Sequence, residues 1–194
     1  MLFRSRAAEF QAQPSYPLLV PLYGAFLFLL SGGPLDPAAK AVSPCFFFAL
    51  LGAFYHLARR LGSREVAAVF TAMLAGLHMV NIVAFELAGY ADTALSVYML
   101  LGAGFLCAWW KDGRPGDLAL ASGFSALAAW TKNEGLFFLA AALVLAAARL
   151  LSQRSRYWRP WATLLAPALV SVVPWILLRA AYRVPGSDLF DTGR

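Results

Sequence analysis

Residues 118–151 read LALASGFSALAAWTKNEGLFFLAAALVLAAARLL. A helix at the surface of a soluble protein places apolar residues at every third or fourth position, on one face. Here the residues on both sides of Lys132, Asn133 and Glu134 are apolar all round, as in helices surrounded by hydrocarbon. The stretch therefore predicts two membrane helices joined by a charged turn. Extended along the chain, the same pattern predicts an all-α, polytopic transmembrane helix bundle.

Composition agrees. Of 194 residues, 61% are hydrophobic and 13% charged, with mean hydropathy +0.66, whereas a soluble domain carries about 25% charged residues. The net charge of +6 comes mainly from arginines scattered among the loops. That distribution fits membrane topology and gives no patch for nucleic acid, so no nucleic-acid partner is expected. Cys45 and Cys107 lie inside apolar runs without a CxxC spacing and read as small hydrophobes. The chain holds no HExxH, CxxC or DxD pattern, and neither a metal nor another cofactor is expected.

Seven apolar segments can be marked: Leu18 to Ser31, Ala41 to Ala58, Val66 to Leu87, Thr93 to Trp110, Leu118 to Thr131, Gly135 to Leu151, and Trp161 to Tyr182. The first and fifth are short, about 21 Å at helical rise, against the roughly 20 residues that a crossing requires. Residues 1–31 form an outer-face or interfacial amphipathic piece, and residues 41–182 supply the transmembrane helices. The first apolar run, bracketed by Pro17, Pro21 and Pro34, either crosses or lies along the outer interface; its shortness favours an interfacial or re-entrant reading. No cleavable leader pattern precedes it.

Three loops hold nine basic residues: Arg59, Arg60 and Arg64; Lys111 and Arg114; Arg149, Arg154, Arg156 and Arg159. By the positive-inside rule these face the cytoplasm of a multi-pass membrane protein. The intervening loops then face outward, with Glu86, Tyr90, Asp92, Lys132, Asn133 and Glu134, and Tyr16 joins them. Trp109, Trp110, Tyr157, Trp158 and Trp161 border the basic loops and read as an interfacial aromatic belt.

Ionisable side chains at membrane depth are costly, and therefore informative. Asp92, just before Thr93, suits a helix N-terminus through capping and the macrodipole. Glu86, between Phe85 and Leu87, has no comparable explanation; with Asp92 it could bind a basic group, orient a sugar hydroxyl or share a proton. Lys132 and Glu134 fit a tight turn in which Gly135 relaxes the bend. The shortness of the fifth segment sets that turn below the surface, where a lysine can meet a phosphate as a point charge. His56 reads as interfacial, and His78 lies nearer the outer group.

Four stretches in order carry a family likeness: PSYPLLVPLYGAFLFLLSG, GYADTALSVYMLL, SALAAWTKNEGLFFLAAALVL, and PWILLR followed by VPGSDLF. From about Phe10 to Phe190, the chain resembles bacterial GT-C membrane glycosyltransferases, the branch of protein O-mannosyltransferases, lipid A aminoarabinose transferases and Rgt-type galacturonosyltransferases. The resemblance implies transfer of a sugar from a polyprenyl-phosphate carrier to a lipid, glycan or protein acceptor on the periplasmic face. It gives Asp92 a supporting acidic role near the substrates and Lys132 either contact with the donor phosphate or a part in shaping that pocket; Asn133, Glu134 and Tyr16 lie in matching motifs and, with Glu86 and Tyr90 of the same outer group, are assigned to substrate binding. Relatives commonly carry Asp where this chain has Ser15, which puts an acidic role there in doubt.

Relatives also place a helix and a long outer loop with the main catalytic carboxylate before the YPLL motif, where this chain has fifteen residues. More helices follow the PSDLF-like segment in those relatives. The expectation is a fragment covering roughly the second to sixth or seventh helices of a longer enzyme, with no catalytic base assigned inside it. The alternative reading is a polytopic transporter or a non-catalytic membrane assembly subunit, in which the same charged turns line an ion path.

Overall fold

A computed structural model describes residues 19–33, 42–85, 91–153 and 158–182. Among them are seven helices: α1 (Leu19–Ser31), α2 (Val42–Leu61), α3 (Arg64–Phe85), α4 (Asp92–Asp112), α5 (Pro115–Thr131), α6 (Asn133–Ser152) and α7 (Trp158–Tyr182). Each coincides with one of the seven apolar segments, and the protein is all-helical over its described residues. Asp92–Asp112, Asn133–Ser152 and the Trp158–Leu178 part of α7 are long and apolar enough to cross a membrane. They account for three spans by length and composition among the described residues, fewer than the six or seven segments expected.

Helix α5 sits at the centre, packed against α4, α6 and α7 and touched by α1; α2 lies on α4, and α3 lies on α2. Its composition explains its place. Ala121, Ser125 and Ala129 recur at a spacing of four, as do Leu118, Ser122 and Ala126, and all six are buried. Small residues at that spacing let backbones approach closely, the main source of helix association where lipid removes the hydrophobic drive. The hydroxyls are satisfied within the bundle: Ser125 Oγ donates to Ala121 O at 2.7 Å, and Ser122 Oγ crosses to Leu164 O of α7 at 2.6 Å. Gly102 of α4 faces this stripe, and a Cβ there would stand 2.8 Å from Ser125 Oγ. Val170, Leu169, Ile176 and Leu177 of α7 and Phe137 and Val144 of α6 point outward, as lipid-facing positions do.

The connections are tight. Helix α4 ends at Gly113, whose left-handed backbone (φ 71°) returns its N–H to Trp109 O at 2.8 Å, and Pro115 opens α5. At that end Arg60 of α2 grips the hairpin: Nη1 and Nη2 reach the two oxygens of Asp117 at 2.8 and 2.6 Å, and Nη2 reaches Asp112 at 2.7 Å. A planar guanidinium matches a carboxylate in this paired way. Arg60 therefore ties α2 to the α4–α5 turn, a role beyond the topological one that the arginine count gives it.

These paired hydrogen bonds hold the Asp117 carboxyl below the usual carboxylate range, against the opposing effect of desolvation. A depressed folded value stabilises the fold fully above the unfolded value of about 4. Below it, the unfolded chain binds a proton that the folded chain refuses, and the contribution fades as pH falls through the folded value. Thermal unfolding of the detergent-solubilised chain should thus lose stability on acidification below about pH 4, and Asp117→Asn should lose less over that interval.

Two expectations change here. Helix α5 begins at Pro115, three positions before Leu118, and has 17 residues, or about 25 Å of rise. The proline at its first turn is compatible with helix, so the polar PGD stretch extends it, and the shortness argument for a deeply set Lys132 weakens. Trp109 is 4% exposed and packs with Leu106, Leu118 and Ala146; it belongs to the core. Of the expected belt, Trp110 and Trp158 are exposed and Trp161 is partly buried, while Tyr157 lies outside the described residues.

Candidate functional site

The end of the bundle opposite Arg60 is formed by the start of α4 and by the corner between α5 and α6. That corner is a single residue: Lys132, in extended backbone (φ −154°, ψ 157°), closes α5 and opens α6. Its N–H returns to Ala128 O at 3.3 Å, while its carbonyl accepts from Gly135 N at 2.9 Å. So abrupt a reversal brings the first turn of α6 against the last turn of α5. Gly135 is buried there, and a Cβ on it would overlap the carbonyl group of Ala128. Glycine is required for close approach of two backbones; its φ is not in the left-handed region, so the expected relaxation of a bend is not its role.

The corner brings Lys132 to Asp92, forty positions away in sequence. Lys132 Nζ donates to Asp92 Oδ1 at 2.8 Å and lies 3.9 Å from Glu134 Oε1. The exposures are unequal: 15% for the lysine side chain, against 58% for Asp92 and 54% for Glu134. The ammonium is drawn inward and the carboxylates stand at its outer side. Asp92 is the first residue of α4; Ala91 occupies the cap position, and no side chain caps the helix. The macrodipole part of the expectation for Asp92 stands and the capping part does not, because its carboxylate bonds the lysine.

Asn133, at the first position of α6, has its Oδ1 sealed from solvent with no hydrogen-bond partner. A buried carbonyl oxygen without a donor is unfavourable, and here it lies beside the lysine. The first amides of α6 also point out of the helix at this corner. Together these give a cation, a helix N-terminus and an acceptor next to two outer carboxylates. Such a group suits an anion bearing hydroxyls: oxygen charge for the ammonium, hydroxyl protons for the two exposed carboxylates.

Tyr16, Glu86 and Tyr90, expected to complete the group, lie outside the described residues. His78 belongs to α3, but its side chain is outside them also; His56 is exposed on α2. Two residues escaped the sequence reading. Arg60 was read only as a loop charge, although the acidic residues of KDGRPGD were a signal of its partners. Arg149 was read the same way, yet it lies within α6 against Trp109 and Trp110. No family model, no curated protein and no solved structure matches the chain.

Proposed function

We propose that this chain is part of a membrane glycosyltransferase that takes a sugar from a polyprenyl-phosphate carrier and gives it to an acceptor on the periplasmic side of the inner membrane. One observation carries the reading: Lys132 is held inward at a one-residue break between two apolar helices, oriented by Asp92, at the end of the bundle remote from Arg60 and Arg149. A lipid-linked donor presents a phosphate near the bilayer surface, at the level where such a lysine could meet it. The resemblance over GYAD and TKNEG supports the same pair of residues.

In this reading Lys132 contacts the donor phosphate, and its charge stabilises the polyprenyl phosphate as it leaves the sugar's anomeric carbon. Asp92 positions the ammonium, and the exposed carboxylates of Asp92 and Glu134 accept sugar hydroxyls. The group that deprotonates the acceptor is assigned to none of these residues. The basic loops, at the opposite end, face the cytoplasm.

The test is retention by the full chain in neutral detergent. A short-chain polyprenyl-phosphate hexose should be retained, whereas a nucleotide-linked hexose should not, because the carrier is read in the bilayer. Equal retention of both, or of neither, contradicts the proposal.

A further inference from the structure

We infer that Arg149, with Trp109 and Trp110, binds the phosphate of an anionic membrane lipid at the end of the bundle opposite Lys132. Arg149 lies in the last turn of α6. Its guanidinium carbon stands 4.7 Å from the ring centre of Trp109 and 5.3 Å from that of Trp110. The indole faces attract the cation but do not neutralise it. Nη1 is sealed from solvent and has no hydrogen-bond partner.

The nearby acids are already engaged. Asp112 and Asp117 both bond Arg60, and no carboxylate among the described residues pairs with Arg149. A cation held among indole rings at the end of an apolar bundle, with one nitrogen sealed from water, is better satisfied when an anion reaches its remaining face. Arg149 is itself partly exposed, so an anion can approach from outside.

The two rings decide the direction. Trp109 is 4% exposed and closes the inner side, whereas Trp110 is 48% exposed and opens onto the surface. Leu145, one turn before Arg149, and Leu151 are exposed too. A ligand at Arg149 thus meets apolar surface beside the cation, which suits a phosphate carrying acyl chains better than a free one. A guanidinium held by two rings offers its edge to phosphate oxygens. Exposed Lys111, next to Trp110, adds a second positive charge at the same level. The inference is independent of the role proposed for Lys132.

The full chain in neutral-detergent micelles, offered dioctanoyl phosphatidylglycerol or dioctanoyl phosphatidylcholine and observed by native mass spectrometry, tests it. Phosphatidylglycerol should be retained in preference, and inorganic phosphate at equal concentration should not displace it. Arg149→Gln should weaken retention by about tenfold or more, and Arg149→Lys, which keeps the charge, should preserve the lipid preference at reduced affinity. Thermal unfolding of each variant verifies that it is folded; if Arg149→Gln fails to fold, the lysine variant alone decides. Equal retention of the two lipids by the wild type, displacement by inorganic phosphate, or retention by a folded Arg149→Gln at the wild-type level would overturn the assignment. So would an Arg149→Lys variant that retains phosphatidylglycerol no better than phosphatidylcholine.

Discussion

Replacing Lys132 with alanine should weaken retention of a polyprenyl-phosphate hexose by about 10- to 100-fold, the equivalent of one charge-assisted hydrogen bond. Lys132→Arg should lose less, because a phosphate can accept from either cation, though the flat guanidinium fits a corner built for a compact ammonium less well. Asp92→Asn sharpens the test. The Asp92 carboxylate holds the ammonium at 2.8 Å, so a phosphate must share or displace it. Removing that negative charge should leave binding of the phosphate intact or stronger. If Lys132 and Asp92 were only a clip between α4 and the α5–α6 corner, both variants would lower stability and neither would alter binding selectively. Thermal unfolding of each variant separates the two cases.

The second large effect concerns the corner itself. Gly135→Ala should destabilise the fold by about 3 kcal/mol, read as a lowered unfolding midpoint in detergent. The added methyl overlaps the backbone of Ala128, including its carbonyl oxygen. Backbone atoms in the last turn of a central helix cannot turn aside as a side-chain tip can. Gly123→Ala is the control: it lies in α5 with nothing within 4 Å of the added carbon. There alanine should be neutral or stabilising, by up to about 1 kcal/mol, since it restricts the unfolded chain and favours helix. Equal losses at the two positions would show that close approach is not what Gly135 provides.

Because Gly135 lies in the first turn of α6, its substitution should also move Lys132 and Asn133. The expected signature is weaker binding of the lipid-linked sugar together with lower stability. Lys132→Ala should instead affect binding much more than stability, as its partners are exposed by more than half and can regain water.

Much of the architecture was legible because hydrocarbon imposes a simple rule. Runs that are apolar all round must be helices, and the structure places a helix on each of the seven. Boundaries were less legible where polar residues extend a helix past the apolar run. Pro115, Gly116 and Asp117 look like loop in sequence, yet proline is at home in a first turn and Asp117 is held there by Arg60.

The candidate site was legible in part. Lys132 and Asp92 could each be singled out as charges in apolar surroundings, but their contact depends on the α4–α5 hairpin and the reversal at Lys132, neither of which is local. Arg149 carries the opposite lesson. Counting it among loop charges was natural from RLLSQRSR, but its contacts with Trp109 and Trp110 arise from α6 folding back beside α4. Charge counts register sign and approximate location; they do not register which ring a guanidinium will meet.

The central claim is that a lipid-linked phosphate sits at the Lys132 corner, and photocrosslinking tests it most directly. A polyprenyl-phosphate hexose bearing a diazirine near the phosphate, irradiated with the full chain in lipid vesicles, should mark peptides spanning Ala128 to Leu136 and the start of α4. Lys132→Ala should lose most of that label. Labelling confined to other helices, or equal labelling of the corner in wild type and Lys132→Ala, would contradict the account.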